Sequence, residues 1–235
     1  MRGQSGTGRH LVTAFKFLDK ALGPQHWWPG ETAFEIIVGA ILTQSTAWTN
    51  VEKAIAKLKR ERLLSPAPMR RVTLQKLASL IRSSGYFNQK ARRLKNFLAF
   101  LKQYGTLERM FQEPTDTLRE KLLRIKGLGP ETTDAILLYA GGHPVFVVDA
   151  YTRRILSRHG WQGEKATYGE IQGLFETQLP RDVQLFNQYH ALLVNAGKNF
   201  CKRKEPHCLQ CPLRPLLPRN SGPIQTSLKT FQKRA

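Results

Sequence analysis

The apolar residues of this chain recur at helical intervals along most of its length, and this periodicity restricts the fold more than any other feature. Leu11, Phe15 and Leu18 share one face of a predicted helix, and Ile37 and Ile41 share a face of the next. Further helices are predicted at 48–62, 73–82, 89–104, 116–124, 131–140, 150–158, 167–177 and 183–200. The only strand-like run, VFVV before residue 149, has no partner strand with which to form a sheet. The sequence therefore predicts an all-α fold.

The charge of the chain is strongly positive. It has 37 Lys and Arg against 17 Asp and Glu, a net charge of +20, which is typical of proteins that bind polyanions such as nucleic acid. Ribosomal and membrane-surface proteins are also basic, so charge alone does not choose among these partners. No apolar stretch approaches the roughly 20 residues of a membrane span, and the N-terminus lacks the apolar core of a signal peptide. We expect a cytoplasmic protein with no membrane partner and a disordered basic tail at 219–235.

Two glycines, Gly127 and Gly129, lie between two helical patterns. Glycine permits positive φ and leaves the amides of a turn uncovered by side chains. The next helix is predicted to begin near Pro130, a residue suited to a first helical turn, and helix N-termini attract anions. This pattern fits a turn that binds phosphate, and it equally fits a plain corner between two helices, because two spaced glycines alone are a weak signal.

Asp149 directly follows the VFVV run and precedes a predicted helix. Aspartate is a favoured N-cap, so a structural role is open. A carboxylate can also stabilise a positive charge that develops during a reaction. Taken alone, the residue supports either interpretation.

A two-glycine turn, one helix, a short Gly-Pro loop and then an aspartate is the layout of the helix-hairpin-helix glycosylase motif. The segments VGAILTQSTAWTNVEKAI and SGYFNQKARRLKNF also resemble family segments, in the family's order. Over roughly residues 30–211 the sequence resembles the endonuclease III-like proteins of the HhH-GPD superfamily of DNA glycosylases. The resemblance implies a bilobal all-α fold, with a six-helix barrel lobe at 28–146 and a second helical lobe made of 1–27 and 147–218.

The resemblance also implies a base-excision-repair enzyme that flips a damaged base out of double-stranded DNA, and we expect it to act as a monomer at the nucleoid. Asp149 would be catalytic, Gln44 would fill space near the extruded nucleotide, and Tyr86 or Phe87 would enter the base stack. Core packing is the alternative for the two aromatic residues, and a solvated helix face is the alternative for the nearby bases. The predicted DNA-binding residues are Gln44, Tyr86, Phe87, Asn88, Lys90, Arg92, Arg93, Lys126, Gly127, Gly129, Lys202, Arg203 and Lys204.

Bifunctional members of the superfamily carry a lysine two residues past the second glycine of the hairpin, where this chain has Glu131. A carboxylate cannot form the imine of the lyase reaction, so the resemblance implies a monofunctional enzyme that uses Asp149 and water. The sequence looks closest to the 3-methyladenine glycosylase branch, and Trp27, Trp28 and Trp48 would stack on an alkylated purine or simply pack helices. The alternatives are a bifunctional glycosylase and AP lyase acting on oxidised pyrimidines, and a non-catalytic DNA-binding protein.

All three cysteines, Cys201, Cys208 and Cys211, lie within eleven residues. In the family this spacing continues to a fourth cysteine, and the four thiolates hold a 4Fe–4S cluster. Here the fourth position is Leu217, so the set is incomplete. An iron–sulfur cluster with an outside ligand, a zinc site that includes His207, and metal-free packing all stay open.

Overall fold

The computed structural model describes residues 6–218, with side chains from residue 8 onward, so the predicted tail at 219–235 lies outside the described residues. No strand occurs within 6–218, and the predicted all-α fold is confirmed. No helix in this range is both long enough and apolar enough to cross a bilayer. The helices of the described range are α1 (Gly6–Leu22), α2 (Ala33–Leu42), α3 (Trp48–Arg60), α4 (Pro66–Arg71), α5 (Leu74–Leu80), α6 (Phe87–Leu101), α7 (Leu107–Phe111), α8 (Thr115–Leu123), α9 (Pro130–Ala135), α10 (Ala150–Arg158), α11 (Tyr168–Gln178) and α12 (Val183–Asn199).

The chain forms two compact units, one of Trp28–Val145 and one that joins the residues up to Trp27 to those from Phe146 onward. The first unit holds α2 to α9, which are the six helices predicted in this range plus the short helices α4 and α7. These two were missed because five or six residues are too few to show a helical period. The predicted boundary between the two lobes lies between residues 146 and 147, and the boundary between the two units lies between Val145 and Phe146.

Helix α2 forms the centre of the first unit. All of its residues except Glu35 are apolar and eight of the ten are buried, as expected for a helix enclosed by others. Thr32 caps its N-terminus by accepting a hydrogen bond from the Glu35 amide at 3.1 Å, and Lys59 of α3 pairs with the Glu35 carboxylate at 2.9 Å. These contacts fix the position at which α2 begins.

Aromatic side chains fill the core of the second unit. Phe146 stacks on Phe175 of α11 with ring centroids 3.8 Å apart, and Phe186 and Tyr189 of α12 meet it edge-on. The buried Tyr189 hydroxyl donates to the Leu11 carbonyl of α1 at 2.9 Å, which satisfies the polar end of its ring. Phe146, the residue at which the chain returns to this unit, is thus anchored in its aromatic core.

The VFVV run is buried and belongs to no helix or strand, and Phe146 and Val148 form hydrogen bonds with side chains instead of a neighbouring strand. The Phe146 amide donates to Glu176 at 2.9 Å, Gln172 donates to the Phe146 carbonyl at 2.8 Å, and the Val148 amide donates to the Tyr168 hydroxyl at 3.3 Å. The three side chains are spaced four residues apart, so they form one row along α11. This row takes the place of a neighbouring strand and holds the residue after the run, Asp149, in a defined position.

Candidate functional site

The two helices that flank the glycine turn are joined by a buried ion pair. Arg119 of α8 donates to both carboxylate oxygens of Asp134 of α9, at 2.6 and 3.0 Å, and Asp134 is fully buried. Such bidentate pairs are strong and directional, and a buried carboxylate requires a partner of this kind. Sequence reasoning missed this contact, although an aspartate inside an apolar helix was the available signal. The pair holds α8 and α9 at the angle that shapes the turn.

The carbonyls of the turn point toward side chains of the same unit. Asn96 of α6 donates to the Lys126 carbonyl at 3.0 Å, and Gln44 donates to the Gly127 carbonyl at 3.3 Å. Within residues 6–218 neither the Gly127 amide nor the Gly129 amide donates to a backbone carbonyl. The turn therefore keeps its acceptors occupied and presents two N–H groups, which is the arrangement that anion binding requires.

Gly127 is required by two features of the turn. Its φ is +99°, in the region that favours glycine, and a Cβ at this position would lie 2.5 Å from Cγ of Arg93. Arg93 also donates to the amide oxygen of Gln44, whose amide nitrogen donates to the Thr132 hydroxyl at 2.8 Å. The predicted gap-filler and the predicted phosphate turn thus belong to one polar network, which Arg93 closes.

Tyr86 is the candidate wedge that the structure favours. Its side chain is 66% exposed, and it has left-handed backbone angles, φ 43° and ψ 32°, at the start of α6. A non-glycine residue in this conformation is uncommon, and His26, Ser45 and Arg62 share the positive φ within the described range. Phe87 is half-buried under the Arg82 guanidinium, which lies 5.8 Å from its ring centroid, and Asn88 is exposed beside it. Insertion into a base stack suits the projecting tyrosine better than the covered phenylalanine.

Lys90 was predicted to bind DNA, but its side chain is buried in the first unit. It is 0% exposed, and its ammonium donates to the Leu42 carbonyl at 2.8 Å and to the Ser84 carbonyl at 2.6 Å. A phosphate cannot reach it there. The prediction was wrong because a run of bases shows charge but not the direction of each side chain, and Lys90 points inward from α6. It joins the end of α2 to the segment that precedes Tyr86.

The burial of Lys90 predicts how its contribution to stability changes with pH. Burial lowers the pKa of Lys90 from 10.5 to about 8, so between these values the unfolded chain binds more protons than the folded one. The free energy of unfolding should therefore rise with pH in wild type relative to Lys90→Met, by about 2 kcal/mol between pH 7 and pH 10. Denaturant titrations at the two pH values test this, with the exposed Lys102→Met as control. If the difference in the free energy of unfolding between wild type and Lys90→Met stayed constant or fell from pH 7 to pH 10, this prediction would be contradicted.

Five of the other predicted bases are accessible, whereas Arg93 is half-buried. Arg92, Lys126 and the three bases of the cysteine loop, Lys202, Arg203 and Lys204, are exposed. Arg158 of α10 fixes the backbone of that loop by donating to the Lys202 carbonyl at 2.7 Å and to the Arg203 carbonyl at 2.9 Å. The loop thus has a defined path while its charged side chains face solvent, as phosphate contacts need.

Asp149 is buried, and one of its two carboxylate oxygens accepts a hydrogen bond. The residue is 9% exposed, and its Oδ1 accepts a hydrogen bond from the Thr152 amide at 2.7 Å, which confirms the predicted N-cap of α10. Its Oδ2 lies 3.8 Å from Nε2 of His190, a buried residue of α12. Burial lowers the pKa of His190, and the nearby carboxylate opposes that shift. A catalytic role for Asp149 stays a prediction.

Glu131 lies in the first turn of α9 and is exposed. An acidic residue here stabilises the positive end of the helix dipole, so a structural reason for the glutamate exists beside its place at the position of the family lysine.

Three aromatic rings gather in the first unit. The rings of Trp28 and Trp48 meet edge to face at 5.3 Å, and Trp28 lies 5.2 Å from Tyr139. Gly39 leaves room for this cluster, because a Cβ there would lie 3.0 Å from the Trp28 indole nitrogen. Tyr139 belongs to a π-helical segment, Ile136–Ala140, of the kind found at functional sites, and sequence reasoning missed it. Trp27, the third predicted tryptophan, belongs to the other unit.

The three cysteines and Leu217 line one cavity in the second unit. Burial raises the pKa of the Cys211 thiol to about 11, and Arg158 donates to Cys201 Sγ at 3.2 Å. No group of three His, Cys, Asp or Glu within residues 6–218 is placed to hold a metal ion. With leucine at the fourth position, these residues do not supply the four thiolates of a 4Fe–4S cluster. The presence of iron or zinc stays a prediction.

Comparisons with known proteins identify the family. Residues 38–181 match the family described as HhH-GPD superfamily base excision DNA repair protein. A Methanocaldococcus jannaschii protein named as a candidate DNA repair glycosylase is 49% identical over 207 residues, which cover 87% of this chain and 94% of the relative.

Solved structures agree with this family. The H. pylori 3-methyladenine DNA glycosylase bound to 1,N6-ethenoadenine has a TM-score of 0.69 and 33% identity, covering 82% of this chain and 97% of that one. An endonuclease III–DNA complex has a TM-score of 0.77 and covers 94% of this chain and 98% of that one. Because the sequence identity is 22%, this match supports the fold alone. Since the family match spans more than half of the chain, this protein belongs to the HhH-GPD superfamily of base excision DNA repair proteins.

Proposed function

We propose that this protein is a monofunctional DNA glycosylase that acts as a monomer on damaged double-stranded DNA and excises alkylated purines. The observation that carries the proposal is the Asp149 carboxylate, which is nearly buried and fixed at the N-terminus of α10. The M. jannaschii relative is named as a candidate DNA repair glycosylase, which supports the reaction class.

DNA binding rests on the glycine turn and on the exposed bases. The Gly127 and Gly129 amides would hold a backbone phosphate, and Arg92, Lys126 and the bases of the cysteine loop would add charge contacts. Such contacts position a protein on DNA without reading its sequence. We therefore expect weak sequence preference and selection of the lesion in the base pocket.

Extrusion of the nucleotide requires a side chain that replaces it in the stack. Tyr86 is exposed and is suited to this role, and Gln44 would fill space near the extruded nucleotide. The cluster of Trp28, Trp48 and Tyr139 would receive the base, since a cationic alkylated purine is attracted to aromatic faces. The H. pylori enzyme is a 3-methyladenine DNA glycosylase with 1,N6-ethenoadenine bound, and both of these bases are modified purines, which supports alkylated purines as the substrate class.

Hydrolysis would then use the carboxylate of Asp149. As the N-glycosidic bond breaks, the sugar acquires oxocarbenium character, and a negative oxygen nearby stabilises that charge. The base leaves with the bonding electrons, which neutralise its positive charge, and water adds at the sugar carbon and loses one proton to the solvent. Glu131 cannot form an imine, which supports release of an abasic product without strand cleavage.

A screen of labelled duplexes tests this proposal. Each duplex carries one of 7-methylguanine, 1,N6-ethenoadenine, 8-oxoguanine, thymine glycol or uracil, and abasic sites are read out by cleavage in hot alkali. We expect alkali-dependent cleavage at an alkylated purine and no adduct when borohydride is added. Strand cleavage without alkali, together with a trapped adduct, would favour the bifunctional alternative. Binding without excision of any base would favour the non-catalytic alternative.

A further inference from the structure

The roles proposed above leave His190 unused, although it is the titratable residue that faces Asp149. It is 4% exposed on α12, with Nε2 3.8 Å from Asp149 Oδ2. The ring of Phe146 meets the imidazole edge-on at 6.5 Å. Asp149 is the charged residue that acts on its pKa, and burial, which lowers that pKa, is the larger influence. A lowered pKa favours the neutral imidazole.

The two oxygens of Asp149 have different neighbours. Oδ1 is held by the Thr152 amide at 2.7 Å, and Oδ2 faces His190. The torsion that orients a carboxylate has a broad energy minimum, so a single hydrogen bond does not fix its plane. A neutral histidine with its proton on Nε2 directs an N–H dipole toward Oδ2. Two groups on two helices would then define where the negative charge lies.

We propose that His190 is a positioning residue for the reaction, one that orients the Asp149 carboxylate toward the sugar. This inference rests on the proposed function. The histidine touches neither DNA nor base and acts only through the carboxylate, so it should affect the rate of bond cleavage and leave DNA affinity unchanged. Glutamine at this position can place an N–H donor near the same site, whereas leucine cannot.

Single-turnover kinetics separate these effects. On the duplex that wild type cleaves fastest in the screen, we expect His190→Leu to slow excision at least tenfold and His190→Gln to retain most of the rate. Affinity for a duplex with a tetrahydrofuran abasic analogue should stay within twofold in both variants. His159→Leu is the matched control, because His159 is also buried in this unit but contacts the Leu216 carbonyl. Equal slowing by both leucine variants, or none in His190→Leu, would overturn the inference.

A second measurement does not depend on activity or on the folding of a His190 variant. The ring nitrogens of His190 can be titrated by NMR in wild type and in Asp149→Asn. The carboxylate raises the pKa of His190, so its midpoint should move to lower pH when the charge is removed. An unchanged midpoint would overturn the inference even in an active enzyme. Wild type that excises no base yet shows this shift would count against the proposed function alone.

Discussion

Replacing Asp149 with asparagine should lower the single-turnover excision rate by about 10³-fold while the protein remains folded and bound to DNA. Asparagine is as good an N-cap as aspartate, and its amide oxygen can still accept from the Thr152 amide. The substitution therefore removes the negative charge and little else. Excision rates and affinity for a tetrahydrofuran duplex measure the two effects separately.

Asp182→Asn is the matched control for that experiment. Asp182 caps α12 in the same unit, and its exposed carboxylate accepts from the Leu185 amide at 2.7 Å, the same hydrogen-bond distance as at the buried Asp149. We expect this variant to excise at the wild-type rate. If both variants lost activity equally, the effect would belong to helix capping and not to charge in the transition state.

Replacing Gly127 with alanine should damage both stability and DNA binding. The φ of +99° is strained for alanine, and the new methyl group would meet Arg93 at 2.5 Å. Moving Arg93 would release Gln44 and alter the turn that presents the amides. We expect the free energy of unfolding to fall by about 3 kcal/mol and DNA affinity to fall at least about tenfold. Denaturant titration and fluorescence anisotropy with a tetrahydrofuran duplex measure these changes.

Gly105→Ala separates backbone strain from the clash. Gly105 has a φ of +80°, but a Cβ there would have no neighbour within 4 Å. This control should lose about 1 kcal/mol of stability and keep its DNA affinity. Similar losses of affinity in both variants would show that the amides of the Gly127 turn have no particular role in binding.

Local patterns predicted much of this fold. Helix α10 was predicted at its observed bounds, and the predicted cap at Asp149 and the start of α9 at Pro130 are confirmed, because capping and proline preferences act within a few residues. The VFVV run looked like a strand since all four residues are apolar and three of them are β-branched valines. Its hydrogen-bond partners, Tyr168, Gln172 and Glu176, could not be predicted from the local sequence, because they lie on α11 and reach the run only through tertiary packing.

The direction in which a side chain points depends on tertiary packing and could not be predicted from the sequence. The positive run on α6 looked uniform, yet Lys90 points into the core, Arg92 is exposed and Arg93 bonds to Gln44. Asn96 and His190 gave no sequence signal, because one is a common surface residue and the other lies within an apolar stretch of α12. Their importance comes from the groups that the fold brings beside them, the Lys126 carbonyl and the Asp149 carboxylate.

The most direct test of the proposed chemistry compares two abasic-site mimics in otherwise identical duplexes. One carries a neutral tetrahydrofuran, and the other carries a pyrrolidine whose protonated nitrogen imitates the oxocarbenium charge. Wild type should bind the cationic duplex at least about 10²-fold more tightly, and Asp149→Asn should lose that preference. Equal affinity of wild type for the two duplexes, or a preference that survives in Asp149→Asn, would contradict the assignment of Asp149 as the group that stabilises the cationic sugar.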